Sequence, residues 1–257
     1  MSVLDEIIIG VKEDFQARRL PLTQLNEMAL ACGAVRDPMG NLRTNTLSVI
    51  AEVKRASPSK GQLATISDPA SLALEYEQAG ASVVSVLTEG RRFGGSLTDL
   101  LSVRSAISLP VLRKDFMVDE YQFFEARAYG ADIVLLIVAA LSPNQLKDYY
   151  DLTLQLGMRA IVEVHSREEL DLAINIDAEI VGVNSRNLKD LSIDHRAFSQ
   201  LIPLIPKESV KVAESGISTR QDVVFAQECG ADALLIGEAL VRGGNPRSTM
   251  QTLLGQG

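Results

Sequence analysis

The stretch Glu228-Cys229-Gly230-Ala231-Asp232-Ala233-Leu234-Leu235-Ile236 joins the end of a helix to the start of a strand. Glycine just past the last helical residue ends a helix, and the apolar run that follows is typical of a buried strand. The same helix-ending signal occurs at residues 78–81 and 128–132, and an apolar run follows each of them. This recurrence predicts helices that alternate with short, buried, parallel strands.

Eight runs in the sequence have the length and β-branched content of strands. They are Ser48–Val53, Ser82–Leu87, Val111–Arg113, Ile133–Val138, Ala160–Val164, Ile180–Val183, Val210–Ala213 and Ala233–Ile236. Helices are predicted to start between them near the capping residues Asp68, Ser96, Asp119, Ser142, Ser166, Asp194, Ser218 and Asn245. The segment Ser166–Glu169 also has the spacing of a capping box.

Eight β/α units in about 210 residues predict an α/β protein with a single (β/α)8 TIM barrel. The alternative is a doubly wound open sheet. No Gly-x-Gly-x-x-Gly turn follows the first strand, so nothing favours that alternative.

The residues before the first strand have a different pattern. Apolar residues recur at helical spacing over residues 4–15, which predicts an amphipathic helix. A second short helix is predicted over Thr23–Cys32, with Gly33 just past its end. We interpret residues 1–47 as an N-terminal helical extension, an arm that packs on the barrel of residues 48–257 and forms one domain with it.

Composition excludes several classes of protein. The formal net charge of −8 argues against a nucleic-acid partner, which would require a basic face. No apolar run approaches the roughly 20 residues of a membrane helix, and the acidic N-terminal segment is unlike a signal peptide. Cys32 and Cys229 have no motif spacing, which is typical of reduced thiols in a cytoplasmic protein. With only His165 and His195, and no Cys/His cluster, no metal site is expected.

The segment Ile50–Gly61 places a carboxylate and an ammonium two residues apart in the first strand. Residues two apart in a strand point to the same face, so Glu52 and Lys54 are predicted to lie together at the strand exit. Residues 57–61 follow as a polar loop, because Pro58 lacks the N–H that a strand requires. A buried charge pair beside a basic loop favours a reaction site. The alternative is a structural ion pair at the barrel rim.

Catalytic groups of such barrels lie at the carboxyl ends of the strands. Beyond the first strand, the polar side chains at these ends are Lys114, Glu163, Asn184 and Glu214. Burying them unpaired would cost several kcal/mol each, so their convergence favours a catalytic site. For Glu89, Arg113 and Asp115, each taken singly, a solvated position at the rim is expected.

The loops after the seventh and eighth strands have the features of a phosphate site. Ser215, Gly216 and Gly237 supply backbone N–H groups that can approach an anion closely, and Lys54 would add charge from the neighbouring first strand. Glu238 is assigned to the same site through its backbone, because its carboxylate would repel a phosphate and is expected to turn away. The alternative is that each glycine only makes a tight turn.

Apolar residues in the loops at the same end predict a wall for a flat aromatic group. They are Phe93, Phe116 and Leu188, and each one alone is more typical of packing than of ligand contact. Arg186 has a planar guanidinium that suits a carboxylate. The pocket would therefore suit a molecule with an aromatic acid at one end and a phosphate at the other.

At this point several segments resemble, in order, the motifs of the indole-3-glycerol phosphate synthase family. They are Ile50–Ser59, Val111–Phe116, Gly182–Leu188 and Val212–Ile217. The resemblance extends from about residue 48 to residue 242, whereas the arm is similar only in length and helical character. It implies a carboxy-lyase of tryptophan biosynthesis. That enzyme would close the indole ring of 1-(2-carboxyphenylamino)-1-deoxyribulose 5-phosphate and release CO₂ and water.

The resemblance also implies a role for each residue. Lys114 would be the general acid that protonates the C2′ carbonyl, with Glu163 and Lys54 in acid/base roles during the later dehydration. Glu52, Asn184 and Glu214 would position the lysines and the substrate hydroxyls. Substrate would be bound by Ser57, Pro58, Phe93, Phe116, Arg186 and Leu188, and its phosphate by Lys54, Ser215, Gly216, Gly237 and Glu238. Acid/base chemistry of this kind predicts no cofactor and no metal. The expected partner is a small anionic phosphosugar that carries an anthranilate group.

Two other functions remain open on the residues alone. One is another phosphosugar enzyme. An Amadori isomerase would need a Cys/Asp pair where Glu52, Lys54 and Glu214 stand, and a Schiff-base aldolase would be trapped by borohydride. The other is a non-catalytic phosphosugar-binding protein, which would need the phosphate end but neither Lys114 nor Glu163. Protein partners and the oligomeric state stay open.

Overall fold

Eight parallel strands close into a barrel in the computed structural model, which describes residues 2–188 and 190–256. In chain order they are β1 (Ser48–Val53), β2 (Val83–Leu87), β3 (Val111–Lys114), β4 (Ile133–Ile137), β5 (Arg159–Val164), β6 (Ile180–Asn184), β7 (Val210–Glu214) and β8 (Ala233–Ile236). Each strand pairs with the next, and β1 closes the ring by pairing with β8, with Ser48 opposite Ala233. The predicted TIM barrel with its N-terminal helical extension is confirmed.

Three strands run one residue further than predicted, and each added residue belongs to the predicted site. Lys114 ends β3, Asn184 ends β6 and Glu214 ends β7. In the ladder, Asn184 is paired with Glu214. These side chains are therefore fixed by the sheet and not by loops.

Helices cover the outside of the barrel. The described residues form α1 (Val3–Ala17), α2 (Leu22–Ala31), α3 (Met39–Leu42), α4 (Pro69–Gln78), α5 (Leu97–Ala106), α6 (Tyr121–Ala128), α7 (Pro143–Gln155), α8 (Arg167–Asn175), α9 (Arg196–Leu201), α10 (Arg220–Glu228), α11 (Glu238–Arg242) and α12 (Pro246–Leu254). Short 3₁₀ turns follow β4 and α9. Among these helices none has the length and hydrophobicity that crossing a membrane requires.

Two helices begin later than the predicted caps because an aspartate makes a tighter local turn first. Asp119 Oδ1 accepts from the Tyr121 N–H, and Asp194 Oδ1 accepts from the Arg196 N–H, each at 3.0 Å. An aspartate that bonds two residues ahead forms an Asx turn instead of an N-cap. Helices α6 and α9 therefore start after Glu120 and His195.

Helix α2 begins at Leu22 after Pro21, one residue before the predicted start at Thr23, because proline fixes the backbone dihedral that leads into the helix. Helix α10 is capped by Thr219 and not by Ser218.

The predicted capping box of α8 is wrong in one half. The Ser166 side chain accepts from the Glu169 N–H, as a cap should. The Glu169 carboxylate, however, accepts at 2.7 Å from the N–H of His165, one residue before the cap. Glu169 is thereby drawn toward the end of β5.

The loop after β1 is more ordered than predicted. Residues Ala56–Ser57 and Gly61–Gln62 form a two-stranded antiparallel hairpin, so this segment is not a plain polar loop. Gly61 has a φ of +63°, which glycine adopts without strain at the turn.

Helix α1 is packed against the barrel through one apolar face. Leu4, Ile7, Val11 and Phe15 are buried in a cluster that continues into interior strand residues such as Leu112. The helical spacing of these residues places them on one face, as the sequence predicts. The arm therefore shares its core with the barrel.

The residues expected at a solvated rim are buried instead. Arg113 is fully buried, and its Nη2 lies 2.9 Å from both Asp115 Oδ2 and Glu125 Oε2. Arg18, just beyond α1, binds the same Glu125 through two hydrogen bonds of 2.8 and 2.9 Å. Glu89 is also buried, and it accepts from three backbone N–H groups of the loop after β2. Each charge has partners in the fold, which is why burial is tolerated.

Candidate active site

A cavity of about 720 Å³ opens at the carboxyl ends of the strands. Every residue that the sequence assigns to the site lines it: Glu52, Lys54, Ser57, Pro58, Phe93, Lys114, Phe116, Glu163, Asn184, Arg186, Leu188, Glu214, Ser215, Gly216, Gly237 and Glu238. A cavity of this volume suits a single small molecule.

Lys114 lies at the centre of the charged group. Its Nζ is 2.7 Å from Glu214 Oε2 and 3.3 Å from Glu163 Oε2. Burial would lower the pKa of Lys114, but Glu214, Glu163 and Glu52 raise it above its ordinary value. Lys114 is therefore a protonated, hydrogen-bonded ammonium that faces the cavity.

The two carboxylates beside Lys114 have pKa values pushed apart. Burial raises the pKa of Glu214 to about 7, because Lys114 offsets burial only in part and Glu163 adds repulsion. Burial acts on Glu163 as well, but the cations Lys114 and His165, with a hydrogen bond from Asn184, lower its pKa below the ordinary value. Glu214 therefore titrates near neutral pH while Glu163 stays ionised, and such a separation of pKa values is typical of an acid/base pair.

Glu52 and Lys54 share a face at the end of β1, as predicted. Lys54 Nζ lies 3.3 Å from Glu52 Oε1, and it also lies 5.6 Å from the centroid of the Phe93 ring. Glu52 is buried, whereas the Lys54 side chain remains 21% exposed. Lys54 therefore lies between the charged group and the aromatic wall, partly exposed to solvent.

The loop after β7 has an unusual backbone. Ser215 and Gly216 have φ values of +68° and +71°, the left-handed region that a serine adopts only under constraint. A Cβ at position 216 would lie 2.3 Å from His195 Nε2, and one at Gly237 would lie 2.6 Å from Glu52 Oε1. A Cβ at either position would displace a neighbouring side chain, and at both positions the backbone lies at the cavity without a side chain of its own.

The carboxylate of Glu238 has partners of its own at this end. Glu238 Oε1 lies 2.6 Å from Lys60 Nζ and 3.3 Å from Arg242 Nη1. Lys60 belongs to the hairpin loop after β1, so the ion pair joins that loop to α11 across the cavity.

The opposite end of the cavity is apolar. The rings of Phe93 and Phe116 lie 6.2 Å apart and tilted by 42°, and Leu188 packs against the same cluster. Arg186 also lines the cavity, and its Nη1 donates to Ser59 Oγ at 3.2 Å, which ties the loop after β6 to the hairpin loop. Its planar guanidinium suits a carboxylate.

Sequence reasoning missed several residues that shape the cavity. Ile7 reaches it from α1, and Lys60 and His195 reach it from loops. Gly182 in β6 leaves room for Glu214, because a Cβ there would lie 2.1 Å from Glu214 Oε1. Glycine within a strand is a known sign of a close approach, so this signal was available.

Comparison with known proteins decides among the functions left open. The sequence model of the family described as "Indole-3-glycerol phosphate synthase" matches residues 4–253. The chain belongs to the indole-3-glycerol phosphate synthase family. An enzyme of that name from Kineococcus radiotolerans is 54% identical over all of this chain and 96% of its own length. One from Paenarthrobacter aurescens is also 54% identical, over 96% of this chain and 93% of its own.

A solved structure supports the fold alone. It is an N-acetylmannosamine-6-phosphate 2-epimerase from Clostridium perfringens, with a TM-score of 0.58 and 16% identity over 77% of this chain and 89% of that one. Membership of the indole-3-glycerol phosphate synthase family confirms the predicted enzyme class, a carboxy-lyase of tryptophan biosynthesis that acts on a small phosphosugar.

Proposed function

We propose that the cavity at the carboxyl ends of the strands is the active site, and that the residues lining it have the roles predicted for them. The substrate would be 1-(2-carboxyphenylamino)-1-deoxyribulose 5-phosphate. The observation that carries this proposal is the protonated Lys114 held by Glu214 and Glu163 at the mouth of the barrel. A preorganised cation at the place where charge develops is what ring closure at a carbonyl requires.

Lys114 donates its proton to the C2′ carbonyl oxygen as the aromatic ring carbon attacks that carbonyl. Its raised pKa keeps the proton available at neutral pH. The carboxyl group on the attacking carbon then leaves as CO₂, which restores the aromatic ring. Loss of the new hydroxyl as water completes the indole.

Dehydration needs a base, and the ionised Glu163 suits that role. Its lowered pKa keeps it ready to accept a proton from the substrate. Lys54 would share the proton transfer, since its ammonium is partly solvated and paired with Glu52. Asn184 orients Glu163, because its Oδ1 accepts from the Arg186 N–H at 2.9 Å and leaves its amide N–H groups for the carboxylate.

The phosphate would lie against the backbone of Ser215, Gly216 and Gly237, with Lys54 nearby. The constrained backbone at residues 215 and 216 supports this position, since strain of this kind collects at ligand sites. Glu238 would contribute through its backbone N–H, and its pairing with Lys60 supports a carboxylate turned away from the phosphate.

The anthranilate ring would lie between Phe93, Phe116 and Leu188, with its carboxylate on Arg186. Ser57 and Pro58 would close over it from the hairpin loop, and both line the cavity.

Arm and barrel would act as one domain, residues 1–47 packing on residues 48–257. The shared apolar cluster of α1 and the strands supports this division, and Ile7 places the arm at the cavity itself. We also propose a cytoplasmic enzyme without a nucleic-acid or membrane partner, and the net charge of −8 supports that view.

The test is Lys114→Met in a fluorescence assay for indole-3-glycerol phosphate, run in metal-free buffer with chelator. We expect turnover to fall by at least about 10²-fold, the contribution of a general acid, while affinity for a product analogue stays within about tenfold. The matched control is Lys147→Met, because Lys147 is exposed on α7 and pairs only with Asp151 in the described residues. Equal losses of turnover and affinity would mean that Lys114 mainly binds.

A further inference from the structure

Behind Glu163, on the side away from Lys114, lies a histidine that the proposed chemistry does not use. His165 directly follows β5, two residues after Glu163, and its side chain lies on the same side of the chain as that of Glu163. The His165 side chain is 13% exposed, and its Nε2 lies 3.4 Å from Glu163 Oε1. His165 does not line the cavity, so it contacts Glu163 and not the substrate.

The other ring nitrogen of His165 is clamped. Its Nδ1 lies 3.0 Å from Glu169 Oε2, and that same oxygen accepts from the His165 backbone N–H at 2.7 Å. A carboxylate is an acceptor only, so Nδ1 carries the proton in this contact. Glu169 is itself fixed, because its N–H is capped by Ser166 at the start of α8.

The atoms between Glu163 and His165 then require a further proton. If the ring were neutral with its hydrogen on Nδ1, the lone pair of Nε2 would face the lone pairs of Glu163 Oε1. Both atoms are buried, and neither has another hydrogen-bond partner within residues 2–188 and 190–256. Two buried acceptors at 3.4 Å repel each other, whereas a proton between them makes a charge-assisted bond.

We propose that His165 is a positioning residue: a protonated imidazole, clamped by Glu169, that holds Glu163 Oε1 and keeps that carboxylate ionised and oriented. The proposal rests on the role of Glu163 as the base in dehydration. The charged series runs Glu169, His165, Glu163, Lys114, Glu214, so cations and carboxyl groups alternate from α8 to β7.

The surrounding charges agree with a protonated ring. Burial lowers the pKa of His165, but Glu169, Glu163 and Glu214 outweigh it and raise the pKa above the ordinary value. On its other side Glu163 faces Lys114, Asn184 and Glu214. Loss of the imidazolium would leave Lys114 as the remaining cation that lowers the Glu163 pKa.

The direct test is NMR of ¹⁵N-labelled histidine, since the chain has only two histidines and His195→Gln assigns the signals. We expect both nitrogens of His165 to be protonated at neutral pH. Its titration should move to lower pH in Glu169→Gln and in Glu163→Gln, because each removes a facing carboxylate. A neutral His165 at pH 7 would overturn the proposal, whatever the variants do to turnover.

The kinetic test compares Glu169→Gln with Glu168→Gln. Both residues lie in the first turn of α8, so the two changes have the same effect on net charge and on the interaction with the helix dipole. Only Glu169 contacts His165. We expect Glu169→Gln to lower kcat by about tenfold or more with little change in KM, and to move the alkaline limb of the kcat profile to lower pH. Indistinguishable profiles for the two variants would overturn the proposal.

His165→Gln keeps an N–H donor but removes the titrating group. We expect the acid limb of the profile to move to higher pH, because Glu163 loses one of the cations that hold its pKa down. A role in packing alone would lower stability without moving this limb. If Glu163→Gln retained full turnover while the NMR result held, the assignment of Glu163 as base would fail, and the His165–Glu163 pair would stand as a structural one.

Discussion

Gly182→Ala should lower the activity of the enzyme without unfolding it. A Cβ at position 182 would lie 2.1 Å from Glu214 Oε1 and 3.0 Å from Ile161 Cγ2. The glutamate oxygen must retreat by at least about 1.3 Å to reach an ordinary contact. The carboxyl group is the end of a flexible side chain, so the fold can yield there. The 2.7 Å bond to Lys114 cannot survive that movement.

The size of the loss follows from that one bond. A hydrogen bond to a charged group contributes about 1.5 to 3 kcal/mol. Each 1.36 kcal/mol is tenfold in rate, so kcat/KM should fall by about 10- to 150-fold. The matched control is Gly40→Ala, because a Cβ at Gly40 in α3 would meet nothing within 4 Å. It should leave activity unchanged.

The assay is steady-state fluorescence of product, with a thermal melt of each variant to show that it is folded. The double variant Gly182→Ala/Glu214→Asp completes a cycle. If both changes act through the Glu214–Lys114 contact, the double variant should lose no more than the worse single variant. A folded Gly182→Ala enzyme within about threefold of the wild type would show that the Glu214–Lys114 contact does not limit activity, and fully additive losses would show that the two changes act separately.

Two further predictions concern the arm and the hairpin loop. Burial raises the pKa of the Glu125 carboxyl group, but Arg113 and Arg18 outweigh it and bring that pKa below the ordinary 4.5. The contribution of Glu125 to stability is therefore full above the unfolded-state value and is lost as the pH falls through the lower pKa of the folded state. Glu125→Gln should therefore lower the free energy of unfolding in urea by about 3 kcal/mol at pH 7 and by clearly less at pH 3, and equal losses would contradict this. The exposed Lys60–Glu238 pair contributes at most about 1 kcal/mol, so Lys60→Met should leave Tm unchanged but raise KM several-fold by freeing the loop. An unchanged KM would show that the pair does not hold the loop for substrate.

The side chains at the carboxyl ends of the strands could be predicted from the sequence, because the barrel topology fixes which residues lie there. Once eight strands are recognised, alternation places Glu52 and Lys54 on one face, and the parallel order brings Lys114, Glu163 and Glu214 to one end. The same two-residue alternation would have placed Glu163 and His165 on one face. His165, however, follows the predicted strand and belongs to no recognisable motif.

Other features depend on partners that lie far away in the chain. Arg113 and Asp115 resemble rim charges until Glu125 and Arg18 are placed beside them, and no local pattern encodes a pairing across about 100 residues. The predicted starts of α6 and α9 were displaced by one or two residues for a local reason. Asp119 can bond two or three residues ahead with similar energy, and the surrounding fold selects between these turns.

The alternation of β3 explains how the arm affects the chemistry. Arg113 and Lys114 are consecutive, so they point to opposite faces of the sheet. Outside the barrel, Arg113 is tied through Glu125 to Arg18 of the arm, and inside it Lys114 is tied to Glu163 and Glu214. A strand anchored on both faces cannot shift without breaking buried, charge-assisted bonds. These contacts therefore position Lys114 as precisely as proton transfer requires. The arm contributes to that position through Arg18.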